Sequence, residues 1–249
     1  MLEPYTDRPS TTGSLLVNAS TLHALAQSWA AEGFQINIHA IGDLANRLAI
    51  DVMSDVYSTV CPFEDPVDCQ KRLRFRIEHA QIIHPDDQQR MFAMGIIPSI
   101  QPTHATSDMY YAEDRLGEKR TREEAYRMRS LLHIHPVLGS DFPVEPPNPF
   151  EGIFAGVTRR NPRTGLGKNW DDKGWHQEEA LSLEEALIGF TKWPAHAAFL
   201  EGKAGAIQDG AFADWVVLDV PLEKVDVNSL RHVKVRETWV KGEKVYSRR

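Results

Sequence analysis

The sequence predicts an α/β protein: four parallel strand–helix units, half of a (β/α)8 barrel, followed by part of a small all-β domain. Three observations carry this. Short apolar strands alternate four times with segments of helical spacing, the pattern of parallel β/α units. The length of 249 residues would suit a whole barrel, which takes about 250, yet only four units are found. After Gly202 the helical texture gives way to strand–turn–strand texture. Residues 1–201 are therefore assigned to the partial barrel and 202–249 to the partial β-domain.

Residues 1–18 carry Pro4, Pro9 and Gly13 without periodicity and read as loop. Asn18 or Ser20 can cap a helix over 21–32, where Leu22, Leu25, Ala26 and Trp29 share a face and Gly33 follows. Phe34–Ala40 is a short strand. Over 43–60, Leu44, Leu48, Val52 and Val56 recur every four residues, as on one helix face. Arg72–His79 alternates charged and apolar residues, as a strand does. His84-Pro85-Asp86-Asp87 opens a helix with proline first and acids in the first turn, and Gly95 ends it. Ile96–Pro102 is the third strand, a helix follows over 119–133, and Val137–Asp141 is the fourth strand, leading into the loop Phe142–Pro149. Beyond an irregular stretch (161–177), Ser182-Leu183-Glu184-Glu185 forms a capping box. In the tail, Ala213–Asp219 reads as a strand, and Val233–Val240 and Glu243–Tyr246 flank Lys241-Gly242 as a hairpin. Three short strands cannot hide both faces of a sheet, so they need partners.

Composition narrows the function class. With 42% hydrophobic and 25% charged residues the chain has an ordinary globular balance, and 15 prolines with 16 glycines are too few for a collagen-like or disordered chain. A net charge of −7 with scattered Lys and Arg argues against a nucleic-acid partner. No 18-residue apolar run and no charged-then-apolar N-terminus is present, so no membrane span or signal peptide is visible and a cytoplasmic protein is expected. Cys61 and Cys69 are too few for a disulfide scaffold or a tetrahedral Cys site; beside Pro62 and Pro66 in a loop they read as inert thiols.

In parallel β/α folds, ligands and catalytic groups collect at the carboxyl ends of the strands. His39 ends the first strand, His79 the second and Asp141 the fourth, each beside a turn-like stretch. Imidazole and carboxylate are ligands that Zn2+ and similar ions accept, and bound water there falls to a pKa of about 7. An adjacent carboxylate can take the water's proton and pass it to a leaving amine. A lone histidine at a strand end is more often a hydrogen-bonded structural group, but three independent strand ends make coincidence harder. The spacing leaves both readings open.

Phe34-Gln35-Ile36-Asn37-Ile38-His39-Ala40-Ile41-Gly42-Asp43, Arg76-Ile77-Glu78-His79-Ala80-Gln81 and Leu138-Gly139-Ser140-Asp141-Phe142-Pro143-Val144-Glu145 resemble the fifth-, sixth- and eighth-strand motifs of the amidohydrolase superfamily. The branch is amidohydrolase family 3, the group resembling N-substituted formamide deformylases. Gln101-Pro102-Thr103-His104-Ala105-Thr106-Ser107-Asp108 is similar to its seventh-strand exit, and Gly205–Asp214 to the entry of its small β-sandwich domain. The resemblance implies a divalent metal, usually zinc, and metal-activated water that hydrolyses a non-peptide, amide-type C–N bond of a small-molecule substrate. Carried over by position, His39 and His79 match the single-histidine metal ligands. Asp141 matches the aspartate that touches the metal and shuttles the proton, and His104 and Asp108 fall on the substrate side.

The departures matter equally. The family's first strand supplies a His-x-His pair and its fourth a metal-bridging carboxylated lysine, whereas Leu2-Glu3-Pro4-Tyr5 already resembles the segment after that fourth strand. His133-Ile134-His135 precedes a strand and is no substitute. The chain is thus expected to be the C-terminal half of a longer enzyme, inactive or nearly so by itself, and to self-associate through the open barrel half, pair with another half-barrel, or be marginally folded. Ile36, Ile38, Phe75, Ile77 and Ile100 are expected to include residues facing the missing half. Asp43, as cap or support, and Glu78, pointing away from the His79 face, are expected to assist the site without ligating metal. A catalytically silent remnant serving as a binding or assembly module, and a complete hydrolase using His39, His79 and Asp141 around one metal, stay open as alternatives. Gly139-Ser140-Asp141 lacks the surroundings of a nucleophile elbow. Glu3, Arg115, Arg120 and Arg127 read as a solvated face rather than a substrate clamp.

Overall fold

Strand alternation places every second side chain on the same side of a sheet. The structure, a computed structural model, describes residues 1–248. The chain divides into two units, Met1–Ile100 with Asp108–Pro136, and Gln101–Ser107 with Val137–Arg249.

The first unit is built on three parallel strands, β1 (Asn37–Ala40), β2 (Arg76–His79) and β3 (Ile97–Ile100), in that spatial order. Asn37 pairs with Arg76, His39 with Glu78, and Glu78 with Ser99, so these polar residues share one face. Ile38 and Ile77 share the other. The apolar residues expected to face a missing half do not form an open inner surface. Ile36, Ile38, Phe75, Ile77 and Ile100 are all at most 8% exposed. Period two explains this: the apolar set lies on the packed face, where Tyr57 stacks on Phe75 at 5.5 Å, and Asn37, His39, Arg76 and Glu78 take the opposite face.

Helix α1 (Ala19–Ala31) starts at the Asn18 cap, whose side chain accepts from the Thr21 amide at 2.8 Å. Helix α2 (Asp43–Val60) has its expected bounds. Helix α3 (Pro66–Leu73) corrects the reading of Arg72 and Leu73 as strand. Asp65 caps it, Pro66 takes its first turn and Arg74 leaves it at φ 52°, so the strand begins only at Arg76. Helix α4 (Pro85–Met94) follows the predicted signals, with His84 as cap and Gly95 left-handed at φ 66°. After α5 (Pro102–Asp108) and α6 (Ala112–Leu116), which fall in a segment read only as polar, the helix expected over 119–133 is confined to α7 (Glu118–Glu124). The last stops because Ala125 is extended and bridges antiparallel to Ile82.

Cys61 and Cys69 are not thiols but a disulfide, with Cα atoms 6.0 Å apart and both residues buried. The capped turn of α3 brings the second cysteine back beside the end of α2, a proximity that their spacing does not announce. The N-terminal segment is fixed too. Arg120 donates to the carbonyls of Pro4 (2.8 Å) and Leu116 (2.7 Å), and the Leu2 amide donates to Asp43 Oδ1 at 2.8 Å.

The second unit carries the short strand β4 (Val137–Leu138), the Asn148-capped helix α8 (Pro149–Thr158), α9 (Leu183–Phe190) and α10 (Lys192–Ala197). The capping box is complete, since Ser182 and Glu185 each receive the other's backbone N–H. The irregular stretch is packed: fully buried Arg159 donates through Nε to the Trp175 carbonyl at 2.9 Å. The tail forms an antiparallel sheet of β5 (Trp215–Leu218), β6 (Val235–Val240) and β7 (Glu243–Ser247). Lys241 and Gly242, at φ 52° and 79°, make the predicted hairpin turn, in which both central residues need positive φ.

Candidate metal centre

His39 and His79 leave the C-terminal ends of neighbouring parallel strands. In an unbroken pleat His79 would face away from His39, because its register partner is Ala40 while that of His39 is Glu78. The backbone breaks the pleat. His79 and Ala80 are both left-handed, at φ 74° and 43°, and the two imidazoles meet edge to face with centroids 4.5 Å apart. His79 is buried and His39 exposed. Two adjacent non-glycine residues at positive φ cost on the order of 1–3 kcal/mol each, so their surroundings must hold them.

Those surroundings are explicit. Fully buried Asn46 on α2 directs Nδ2 at the carbonyls of Ala40 (3.2 Å), Ile41 (3.2 Å), Gly42 (3.0 Å) and Ile82 (3.0 Å), tying the exit of β1 to the loop after β2. The Ile82 amide donates to the Ile41 carbonyl at 2.9 Å. On the other side of the loop, the Tyr126 amide donates to the Gln81 carbonyl at 2.8 Å and the Ile83 amide to the Glu124 carbonyl at 2.9 Å. Gln81 Nε2 donates to Tyr126 Oη at 2.9 Å and to Asp108 Oδ2 at 3.3 Å. Asp108 also accepts short hydrogen bonds from the Tyr126 and Tyr111 hydroxyls. Burial first, and then Asp108, push both phenols well above the ordinary tyrosine range. Of these residues only Asp108 was singled out from the sequence. Asn46, Gln81, Tyr111 and Tyr126 carry no spacing signal; Gln81 and Tyr126 reach Asp108 across 27 and 18 residues, and Asn46 reaches Ile82 across 36.

Glu78 differs from expectation: it lies on the face of His39, its register partner, and accepts from Arg76 Nε at 3.0 Å. The expectation that it points to the other side assumed that His79 continues the strand. Asp43 is the first residue of α2 rather than its cap, which is Gly42. Its buried Oδ1 accepts the amides of Leu2 (2.8 Å) and Leu44 (2.7 Å). Nearby Glu124 is buried, and its Oε2 has no hydrogen-bond partner among the described residues. Burial first, then the charge of Asp43, raise its carboxyl above the usual glutamate range.

Asp141 and His104 lie in the second unit. His104 is on α5, and its Nε2 stands 3.9 Å from Asp141 Oδ2. Asp141 follows β4 at a left-handed φ of 57°, and the turn is closed by the Val144 amide donating to its carbonyl at 2.9 Å. Ser107 donates to Glu145 at 2.5 Å, fastening the 141–145 turn to α5.

The donor chemistry suits a divalent cation of the zinc type. Two nitrogens each about 2.0–2.1 Å from one ion stand at most about 4 Å apart, and imidazole centroids 4.5 Å apart are compatible with that span. Imidazole and carboxylate in the second unit are ligands of the same class.

Comparison with known proteins agrees with this chemistry. The model of the amidohydrolase family matches residues 1–246. The chain is 35% identical over 218 residues to Protein LONG AFTER FAR-RED 3 of Arabidopsis thaliana, covering 87% of this chain and 35% of that one. It is 29% identical over 238 residues to an N-substituted formamide deformylase of Arthrobacter pascens, covering 95% and 41%. An uncharacterized metal-dependent hydrolase from Pyrococcus horikoshii superposes with a TM-score of 0.74 at 26% identity, over 90% of this chain and 42% of that one. The chain thus spans less than half the length of these relatives.

Proposed function

The chain belongs to the amidohydrolase family, and from that premise we propose that it is the C-terminal half of a metal-dependent hydrolase acting on amide-type C–N bonds. The observation that supports this best is the meeting of His39 and His79 across neighbouring strand ends, against the pleat. In this reading His39, His79 and Asp141 hold a divalent ion, zinc by ligand type, and His104 lies on the substrate side. The ion supplies Lewis-acid activation of water and of the scissile carbonyl.

The chain's own residues account for the proton and the orientation. Asp141 carboxylate takes a proton from the attacking water as the water oxygen bonds to the carbonyl carbon. It then delivers that proton to the leaving nitrogen as the C–N bond breaks, giving an acid and an amine. His104, 3.9 Å from that carboxylate, is placed to orient it. Glu78 and Arg76 form an ion pair on the face of His39 and keep that surface polar.

Strand β1 pairs only with β2 among the described residues. Beside it lies an apolar groove of about 490 Å3 that includes Leu15, Leu16, Leu22, Leu44 and Leu48, with Leu16 90% exposed. We propose that this edge drives self-association of the chain when it stands alone.

The test is metal stoichiometry. Purified protein is dialysed against zinc and measured by plasma mass spectrometry, then assayed with N-formyl and N-acyl amines. Stoichiometric zinc that is lost in both His39→Ala and His79→Ala, with little or no turnover by the chain itself, is expected. Sedimentation of the same preparation should show dimers or larger species. Zinc binding unchanged in both variants would overturn the site, and rapid turnover by a monomer would overturn the half-enzyme reading.

A further inference from the structure

The turn that brings His79 to His39 is held from two sides, and one side ends on a carboxylate. Asn46 and the Ile41 carbonyl secure the loop after β2 against the exit of β1. The opposite flank is Ala125–Tyr126, joined to the loop by the Ile82–Ala125 bridge and by the Tyr126 amide on the Gln81 carbonyl. Backbone pairing alone would fix the loop's edge but would leave it free to rock about that edge. The side chain of Gln81 removes this freedom, since its Nε2 contacts both Tyr126 Oη and Asp108 Oδ2. Asp108 is the hub: the hydroxyl of Tyr126 donates to one of its oxygens and that of Tyr111 to the other. Gln81 lies two residues beyond His79, with only the left-handed Ala80 between them.

We infer that Asp108 is a positioning residue that acts through Tyr126 and Gln81 to hold the left-handed His79–Ala80 turn, and thereby sets the His39–His79 imidazole pair. The inference rests on the metal-centre reading above and gives Asp108 a role other than contact with substrate. A carboxylate suits the hub because it only accepts, and it faces two phenolic hydroxyls and an amide N–H. An amide in its place brings N–H donors and lacks the negative charge.

The experiment compares the wild-type chain with Asp108→Asn, Gln81→Ala and the double variant. Zinc affinity is measured by competition with a chromophoric chelator. The nuclear Overhauser contact between the His39 and His79 ring protons is measured in metal-free protein. Asp108→Asn and Gln81→Ala are each expected to weaken zinc binding on the order of 10-fold or more, the usual effect of losing support behind a ligand. Both should diminish the ring–ring contact, and the double variant should lose little beyond either single one, as for members of one chain of contacts. Tyr126→Phe, which deletes one oxygen and keeps the ring, is the second route if Asp108→Asn does not fold, and the same loss is expected.

Zinc affinity within twofold of wild type together with an unchanged ring–ring contact in folded Asp108→Asn would overturn the inference. So would a lowered unfolding midpoint with both readouts intact, the mark of a merely structural role. If wild-type protein binds no zinc, the metal-centre reading fails, and the ring–ring contact decides the positioning role by itself.

Discussion

Asn46→Ala should be among the most damaging single changes outside the proposed ligands. The side chain is fully buried, and its Nδ2 faces four carbonyls at 3.0–3.2 Å, three around the exit of β1 and one on the loop after β2. Two N–H groups serve those acceptors, so alanine removes about two hydrogen bonds, each worth roughly 1 kcal/mol net. At least one carbonyl then loses its partner in a dry site, which adds about 1–3 kcal/mol. A loss of about 3–5 kcal/mol follows, which for a chain of this size lowers Tm by roughly 6–20 °C. Asn46→Asp should be worse, since a carboxylate would face the same four carbonyls as an acceptor. Urea unfolding followed by circular dichroism measures both, and the slope should match wild type if only the folded state is affected. A change under about 0.5 kcal/mol for alanine would show that the four contacts are replaceable and that Asn46 does not tie the two strand exits together.

Two further expectations concern the disulfide and a buried carboxyl. Unfolded in denaturant without reductant, the protein should show no free thiol to an aromatic disulfide reagent, because Cys61 and Cys69 are bonded. Cys61→Ser with Cys69→Ser should cost at most about 2.5 kcal/mol, the loop-closure value for so short a ring, and two titratable thiols in native protein would contradict the bond. Glu124 has a carboxyl raised by burial and by Asp43, so the folded state holds its proton more tightly than the unfolded state does. Stability from this group is therefore greatest below the ordinary glutamate value and falls as pH rises through the raised one. Glu124→Gln should gain on wild type between pH 4.5 and pH 7.5 in thermal melts, and a difference independent of pH would remove Glu124 from the account.

The site was partly legible because its residues sit where chain geometry is simplest. His39 and His79 close strands, and parallel strands deliver their ends to one edge of the sheet, so residue type and strand position were enough to nominate both. The sequence-derived orientation of Glu78 failed for a definite reason: alternation predicts faces only while the backbone stays extended, and His79 leaves the strand at φ 74°. Gln81 and Tyr126, and the bond of Asn46 to Ile82, were invisible because the partners lie far apart along the chain, and Tyr111, three residues from Asp108, belongs to no recognisable motif.

By itself the sequence determined local matters: the α/β class, the helix starts at Asn18, His84 and Ser182, the hairpin at Lys241-Gly242, and the nomination of His39, His79 and Asp141. These follow from short-range physics, in which caps satisfy nearby N–H groups, apolar spacing sets the buried face and glycine permits a turn. Only the tertiary structure decided which face of the sheet is polar, that Cys61 joins Cys69, and how the loop after β2 is held. The polar face and the held loop depend on contacts between segments distant in the chain, and the disulfide depends on the turn from α2 into α3, which brings two cysteines eight residues apart together. A left-handed histidine in particular is unfavourable in isolation, and the loop that follows it is hydrogen-bonded by Asn46 on one flank and Tyr126 on the other.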